Sequence, residues 1–225
     1  MENNLLIYNI GDGAQAFTAG RDAALPCHVI QPHQTHSVKV ACIDDPGIAR
    51  EQLEGVDALV TNLRGVAIGV RTADCIPVLL YDPVRGAIGA AHSGWRGTVN
   101  MIAKKTVVEM VRLFGCSPSD IRAVIGPGIG FDSFQVGEEV ALVFKESGFP
   151  VDRIWAFRGA RAENSMEGGH HIDLKECVRI SLVDCGVPAD NIQVSDIDTY
   201  IDDRFYSARR EGPQTGRNIN AVKMV

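Results

Sequence analysis

The chain has 225 residues, a length that suits one large domain or two small ones. Hydrophobic residues make up 45% of it and charged residues 22%, as in ordinary globular proteins. The net charge of −6 argues against a nucleic-acid-binding protein, because neutralising phosphates needs a basic surface. No segment approaches the roughly 20 apolar residues of a membrane span, and the N-terminus lacks a signal-peptide pattern. We therefore expect a cytoplasmic protein with six cysteine thiols, no nucleic-acid or membrane partner, and an undetermined oligomeric state.

Short strands are predicted throughout the first part of the chain. Ser37 to Ile43 alternates apolar and polar residues, as a half-buried strand does. Ile76 to Tyr81 and Ala87 to Ala91 are almost wholly apolar, which predicts strands buried on both faces. The remaining predicted strands of this part are Leu5 to Asn9, Ala58 to Thr61 and Val66 to Arg71.

Apolar residues at three- and four-residue spacing predict three helices in the rest of the chain. The first begins near Thr98 and stops at Gly115, the second is marked by Val136 to Phe144, and the third by Leu174 to Leu182. Predicted strands in this part are Arg122 to Ile125, Ile192 to Tyr200 and Ile219 to Val225, with Gly126 to Gly130 as a rigid loop. Because no repeat or linker interrupts the pattern, we predict one α/β domain over residues 1–225, with a central mixed sheet flanked by helices.

The stretch from Thr72 to Thr98 carries the residues most typical of chemistry. Cys75 begins one apolar run and His92 ends the next, so a hairpin would bring both to the same end. With His36 they form a set of three soft or borderline metal ligands, each at the end of a predicted strand. Three protein ligands leave a fourth position open, which is the pattern of catalytic rather than structural zinc. The spacing matches no short zinc motif, so a buried core thiol with two hydrogen-bonded histidines is the plain alternative.

Other arrangements compete with that metal site. Cys75 beside His92 would also suit an activated thiolate nucleophile, with Asp74 the one orienting group nearby. His170 and His171 are adjacent, a spacing that rarely chelates one ion, and we predict a loop that enters a helix there.

An anion site is a further prediction from the residues. The Gly-containing turn from Ser93 to Thr98 leads into a helix N-terminus, where free N–H groups and the helix dipole favour phosphate or carboxylate. Arg96 lies in that turn, and the tail adds Arg209, Arg210 and Arg217.

Several segments together resemble one known family, in the family's order from about residue 30 to the C-terminus. They are Gln34-Thr35-His36, Val56-Asp57-Ala58-Leu59-Val60-Thr61, Thr72-Ala73-Asp74-Cys75-Ile76-Pro77-Val78, Ala90-Ala91-His92-Ser93-Gly94-Trp95-Arg96-Gly97, Ile125-Gly126-Pro127-Gly128-Ile129-Gly130, Phe205-Tyr206-Ser207-Ala208-Arg209-Arg210-Glu211-Gly212 and Thr215-Gly216-Arg217. This pattern resembles the laccase-domain family, also called the YfiH-type polyphenol oxidase or purine nucleoside phosphorylase family.

The resemblance implies a single α/β domain and a metal site, usually assigned as zinc, on His36, Cys75 and His92. It also implies phosphorolysis of adenosine, inosine, guanosine and methylthioadenosine, and deamination of adenosine. Members were first described as copper-dependent polyphenol oxidases, and some bacterial members are linked to editing of peptidoglycan precursors. The chain lacks cysteines that many members carry, since it has Phe131-Asp132-Ser133-Phe134 and Asp198-Thr199-Tyr200 there. That loss weakens any proposal of a multicopper cluster.

We therefore predict a zinc-dependent purine nucleoside enzyme whose substrates are a nucleoside and phosphate. The predicted catalytic residues are His36, Asp74, Cys75 and His92, and the predicted substrate and phosphate contacts are Gln34, Arg96, Arg209 and Arg210. The alternatives are a copper phenol oxidase, an editing hydrolase of peptidoglycan precursors, and a non-catalytic interaction protein stabilised by a metal.

Overall fold

A computed structural model describes residues 4–158 and 168–225, and within those ranges it shows thirteen strands and six α-helices. The strands are β1 Leu5–Tyr8, β2 Ala14–Ala19, β3 Val40–Cys42, β4 Ala58–Thr61, β5 Ala67–Thr72, β6 Ile76–Asp82, β7 Ala87–Ser93, β8 Arg122–Ile125, β9 Gln135–Val136, β10 Trp155–Arg158, β11 Gly169–Ile172, β12 Ile192–Val194 and β13 Asn218–Met224. The helices are α1 Trp95–Val99, α2 Ile102–Phe114, α3 Glu138–Glu146, α4 Val151–Ile154, α5 Leu174–Asp184 and α6 Ala208–Glu211.

Six strands form the central sheet in the order β12-β8-β6-β7-β4-β3. The outermost pairs at each edge, β12 with β8 and β3 with β4, are parallel. The inner pairs are antiparallel, and β6 and β7 are consecutive strands of one hairpin. The predicted α/β class with a central mixed sheet is therefore confirmed.

Side chains alternate between the two faces of the central sheet along its strands, and both faces are buried. On β6, Val78 and Leu80 belong to the core that packs against α2 and α5, whereas Leu79 and Tyr81 belong to the core on the opposite face. That opposite face is covered by a second, four-stranded sheet in the order β1-β2-β13-β5. The helices thus flank one face, and a second sheet that the sequence pattern did not predict covers the other.

The main elements lie close to their predicted positions. β4 and β8 match to the residue, β6 and β7 extend one or two residues further, and α2 stops at Gly115, whose φ of +67° is left-handed. The first helix is divided, because Met101 adopts a left-handed φ of +60° between α1 and α2.

Four predictions about individual elements are wrong. The strand expected over 37–43 is limited to β3, Val40–Cys42. The strand expected over 192–200 stops at Val194, opposite Ile125, where its partner β8 also ends. Beyond that point the Lys175 ammonium donates to the carbonyl oxygens of Ser195 and Ile197. Val136 lies in β9 rather than in a helix. His170 and His171 lie in β11 of a small sheet with β9 and β10, not in a loop.

No helix in the described parts of the chain is both long enough and apolar enough to cross a membrane.

Candidate functional site

The β6–β7 hairpin brings a thiol and an imidazole together. Ile76 pairs with Ser93 and Pro77 pairs with His92, so Cys75, the residue before β6, lies beside His92 at the open end of the hairpin. The turn at the other end is held by the Asp82 carboxylate, which accepts the backbone N–H groups of Val84 and Arg85. The predicted meeting of Cys75 and His92 is therefore observed.

His36 enters the same site from the loop before β3. Its Nε2 lies 3.9 Å from the Cys75 sulfur, and its ring centroid lies 4.9 Å from that of His92. The ligand atoms of the three residues all lie within 4.8 Å of one another. His36 itself has a left-handed φ of +61°, an unusual conformation for a residue with a side chain. Such backbone conformations persist where the surrounding structure holds them in place.

Asp57 holds His36 and His92 in place. Its carboxylate lies just before β4, is fully buried and accepts four hydrogen bonds. The donors are His92 Nδ1 at 2.8 Å and the backbone N–H groups of Thr35 at 3.0 Å, His36 at 3.0 Å and Ser37 at 2.8 Å. Because Asp57 occupies Nδ1 of His92, the other ring nitrogen is left for the site, an arrangement that commonly orients metal-binding histidines.

Charges across the site shift the pKa values of its members. Burial opposes ionisation of Cys75, but the two histidines outweigh it and lower the pKa of the thiol to about 6. Burial likewise disfavours a charged His92, but the Cys75 thiolate and Asp57 raise its pKa to about 9. For Asp57, the hydrogen bonds from His92 and the backbone overcome burial and keep the pKa of the carboxyl below its usual value. The site therefore favours a thiolate at neutral pH, which is the form that binds metals.

The donors fit a metal ion. In tetrahedral coordination by nitrogen and sulfur, neighbouring ligand atoms lie about 3.6 Å apart, and the His36 Nε2 and Cys75 sulfur atoms, at 3.9 Å, come close to that spacing. Gly94 leaves room for them, because a Cβ at that position would lie 2.9 Å from the His36 ring and 3.0 Å from the Cys75 sulfur. Among residues 4–158 and 168–225, His36, Cys75 and His92 are the one group of three such donors.

Asp74 organises the neighbouring wall of the site. Its backbone has a left-handed φ of +82°, and its carboxylate accepts hydrogen bonds from the Thr199 hydroxyl and the Arg209 backbone N–H, both at 2.7 Å. The carboxylate thus ties the start of α6 to the residue that precedes Cys75. Arg209 in turn donates to the backbone carbonyls of Ser133 and Gln135.

All three metal-ligand candidates line a cavity of about 510 Å³, within the range of small-molecule sites. Of the other predicted site residues, Gln34, Asp74 and Arg209 also line it. Arg96 does not: it is exposed and stacks over Trp95 at 4.3 Å. Arg210 lies outside the lining too, where it binds backbone carbonyls, including those of Thr199 and Phe205, and pairs with Glu211.

Two further residues of the site, Asp57 and Arg71, were not assigned by sequence reasoning, and Arg217 was named only as a cation of the predicted anion site. Asp57 stands in a segment that carries the family resemblance, but no pattern reveals that its carboxylate faces two histidines. Arg71 and Arg217 line the cavity from the ends of β5 and β13. The placement of these two arginines depends on the pairing of β5 with β13, two strands that are far apart in the sequence.

Comparison with known proteins shows what this chain is similar to. Residues 9–225 match the family model described as multi-copper polyphenol oxidoreductase laccase. The chain is 42% identical over 205 residues to a Bacteroides thetaiotaomicron protein named purine nucleoside phosphorylase, covering 88% of this chain and 74% of that protein. It is 43% identical over 201 residues to adenosine deaminase RL5 from an unknown prokaryotic organism, covering 86% and 74%.

A solved structure shows the same fold. The Bacillus licheniformis hypothetical protein YfiH superposes with a TM-score of 0.87 at 26% identity, over 99% of this chain and 97% of that one. Both the sequence and the fold therefore show that the chain belongs to the multi-copper polyphenol oxidoreductase laccase family.

Proposed function

We propose that this protein is a zinc-dependent purine nucleoside enzyme that performs phosphorolysis of adenosine, inosine, guanosine and methylthioadenosine, and deamination of adenosine. The observation that carries the proposal is the cavity of about 510 Å³ with the donors of His36, Cys75 and His92 in its wall. The names of the two relatives above, a purine nucleoside phosphorylase and an adenosine deaminase, support the choice of substrate class.

In this proposal His36, Cys75 and His92 hold the ion. A zinc ion bound there supplies a Lewis acid and activates water near neutral pH. Asp57 fixes the tautomer and orientation of His92 by accepting a hydrogen bond from Nδ1. It fixes the backbone of His36 by accepting the N–H of that residue. The donor geometry is therefore set before any ligand arrives.

The remaining polar groups of the cavity position the substrate. Asp74 is proposed to act as a positioning residue, because its carboxylate carries the backbone of Arg209. Arg209 brings positive charge to the wall and packs over Phe134. Of the four predicted substrate contacts, Gln34 and Arg209 are kept in the proposal. The observed contacts of Arg96 and Arg210 lie elsewhere.

A copper-dependent polyphenol oxidase is the second candidate, and the description of the family model favours it. Thiolate and imidazole ligands also suit copper. A multicopper site, however, requires several ligand clusters, whereas the described residues contain one group of three. We therefore rank zinc chemistry first.

Metal analysis and one assay test the proposal. Purified protein is expected to contain about one zinc per chain and to convert adenosine with phosphate into adenine or inosine. Cys75→Ala should lose both the metal and the activity, while Cys42→Ala, at a half-buried thiol outside the cavity, should keep both. Copper as the native metal, or full turnover by the Cys75 variant, would overturn the proposal.

We also propose that the protein works in the cytoplasm. All six cysteines are free thiols in the structure, which suits a reducing compartment.

A further inference from the structure

Two arginines meet at one end of the second sheet, beside the metal-ligand candidates. On β5, Arg71 pairs with Ile219 of β13, and Arg217 lies two residues before Ile219 in the chain. Diagonal neighbours of this kind lie about 7–8 Å apart on the same face of a sheet. Both arginines line the cavity that contains Cys75.

The positive charge of Arg71 and Arg217 is not neutralised by any acidic side chain in the described part of the chain. Within the described ranges, neither guanidinium has an ion pair with a carboxylate, and Arg217 donates to backbone carbonyls that include those of Pro213 and Thr215. Some other arginines on this fold are paired with acids, as Arg112 is with Glu109. A cavity wall with uncompensated guanidinium groups attracts an anion.

A third arginine, Arg50, adds positive charge near Arg71. Arg50 and Arg71 together line a neighbouring cavity of about 340 Å³, so Arg71 stands between the two cavities. Burial, together with the like charges of Arg50 and Arg217, lowers the pKa of Arg71. An anion bound between these side chains relieves that repulsion.

The backbone of Arg71 is held in place by an earlier loop. Gln34 donates its amide N–H to the Arg71 carbonyl oxygen and accepts the Arg71 backbone N–H, both at 2.8 Å. These two hydrogen bonds add the Gln34 side chain to the second sheet at Arg71. They also fix the backbone from which the Arg71 side chain projects. A preorganised donor loses less entropy when it binds a ligand.

We propose that Arg71 and Arg217 form the binding site for the inorganic phosphate used in phosphorolysis. Guanidinium groups bind phosphate through paired N–H donors, which gives both charge and direction. In the reaction a phosphate oxygen forms a bond to the ribose C1′ carbon while the C1′–N9 bond breaks. The electron pair of that bond leaves on the N9 atom of the purine, and the proton that the hydrogen phosphate gives up on forming the sugar phosphate reaches the purine through water. The assignment rests on the proposed function only for the identity of the anion.

Direct titration with inorganic phosphate tests the site without any turnover. Isothermal calorimetry on the full chain is expected to show at least tenfold weaker binding in Arg71→Gln and in Arg217→Gln. Arg112→Gln makes the same change of charge on the exposed face of α2 and is expected to bind phosphate within twofold of the unaltered protein. The phosphate affinity of Arg71→Lys should lie between that of the unaltered protein and that of Arg71→Gln, because lysine keeps the charge and loses the paired donors.

Kinetics then separate this inference from the proposed function. Arg71→Gln should raise the KM for phosphate in phosphorolysis at least tenfold, and by much more than it raises the KM for adenosine in deamination, since deamination uses no phosphate. If the unaltered protein has no nucleoside activity, the proposed function fails, while the phosphate titration still decides this site. Unchanged phosphate binding in both variants, weakening by Arg96→Gln alone, or tight binding only of a nucleoside 5′-monophosphate would overturn the assignment.

Discussion

Replacing Asp57 by asparagine tests whether one carboxylate organises the candidate metal site. Asparagine keeps the size of the side chain but turns one acceptor oxygen into an NH₂ donor. Each carboxylate oxygen of Asp57 accepts two hydrogen bonds, so with a proton on His92 Nδ1 the NH₂ group would face two N–H donors whichever way the amide is turned. Hydrogen bonds to charged groups contribute about 1.5–3 kcal/mol each, and the loss of two amounts to about 3–6 kcal/mol.

The expected result has two parts. Urea unfolding of the metal-free variant should show a free energy of unfolding lower by about 3–6 kcal/mol, a large share of the 5–15 kcal/mol of a typical domain. Chelator competition at a temperature where Asp57→Asn is still folded should show zinc affinity lower by about 10–100-fold, because His92 loses its orienting partner.

Asp45→Asn is the matched control. Asp45 is exposed, and its side chain accepts one backbone N–H, from Gly47. A change within about 0.5 kcal/mol is expected there. The reasoning would be refuted if Asp57→Asn cost less than 1 kcal/mol and bound zinc as tightly as the unaltered protein.

Three further predictions follow from the same contacts. Gly94→Ala should weaken zinc binding at least tenfold in chelator competition, because its Cβ would lie 2.9–3.0 Å from two ligand side chains. Gly47→Ala is the control: its Cβ meets only an exposed side chain, so zinc affinity should stay unchanged. Alkylation of Cys75 by iodoacetamide in metal-free protein should rise with pH through a midpoint near 6, and zinc should block it; a midpoint near 9 would contradict the thiolate. Leu79→Ala, fully buried between the two sheets, should cost about 2–5 kcal/mol in urea unfolding, while Leu113→Ala, 37% exposed, should cost under 1 kcal/mol.

The hairpin was predictable from sequence because its determinants are local. Two apolar runs and a short turn specify β6 and β7, and the register then places Cys75 beside His92. His36 was placed in the set as a third soft or borderline ligand at the end of a predicted strand, and the family resemblance pointed to the same residue. Its position depends on a left-handed backbone held by Asp57, a contact between distant segments that no periodic pattern records.

The positions of the arginines, in contrast to the hairpin, were poorly predicted from the sequence. Arg96 was predicted as an anion contact from its place at a helix N-terminus, a local signal, and the structure stacks it on Trp95 outside the cavity. Arg71 and Arg217 reach the cavity because β13 returns from the end of the chain to pair with β5. Pairing between strands so far apart depends on the packing of a whole second sheet, which the sequence pattern did not reveal.

The scattered origin of the three donors also has a kinetic consequence. His36 and Cys75 are 39 residues apart, and Asp57, which orients the third donor, reaches it across 35 residues. No local fragment of the chain carries the complete set, so a nascent or partly folded chain lacks the full chelate until β4, β6 and β7 have paired. Capture of an ion at the proposed metal site would then be a late event of folding.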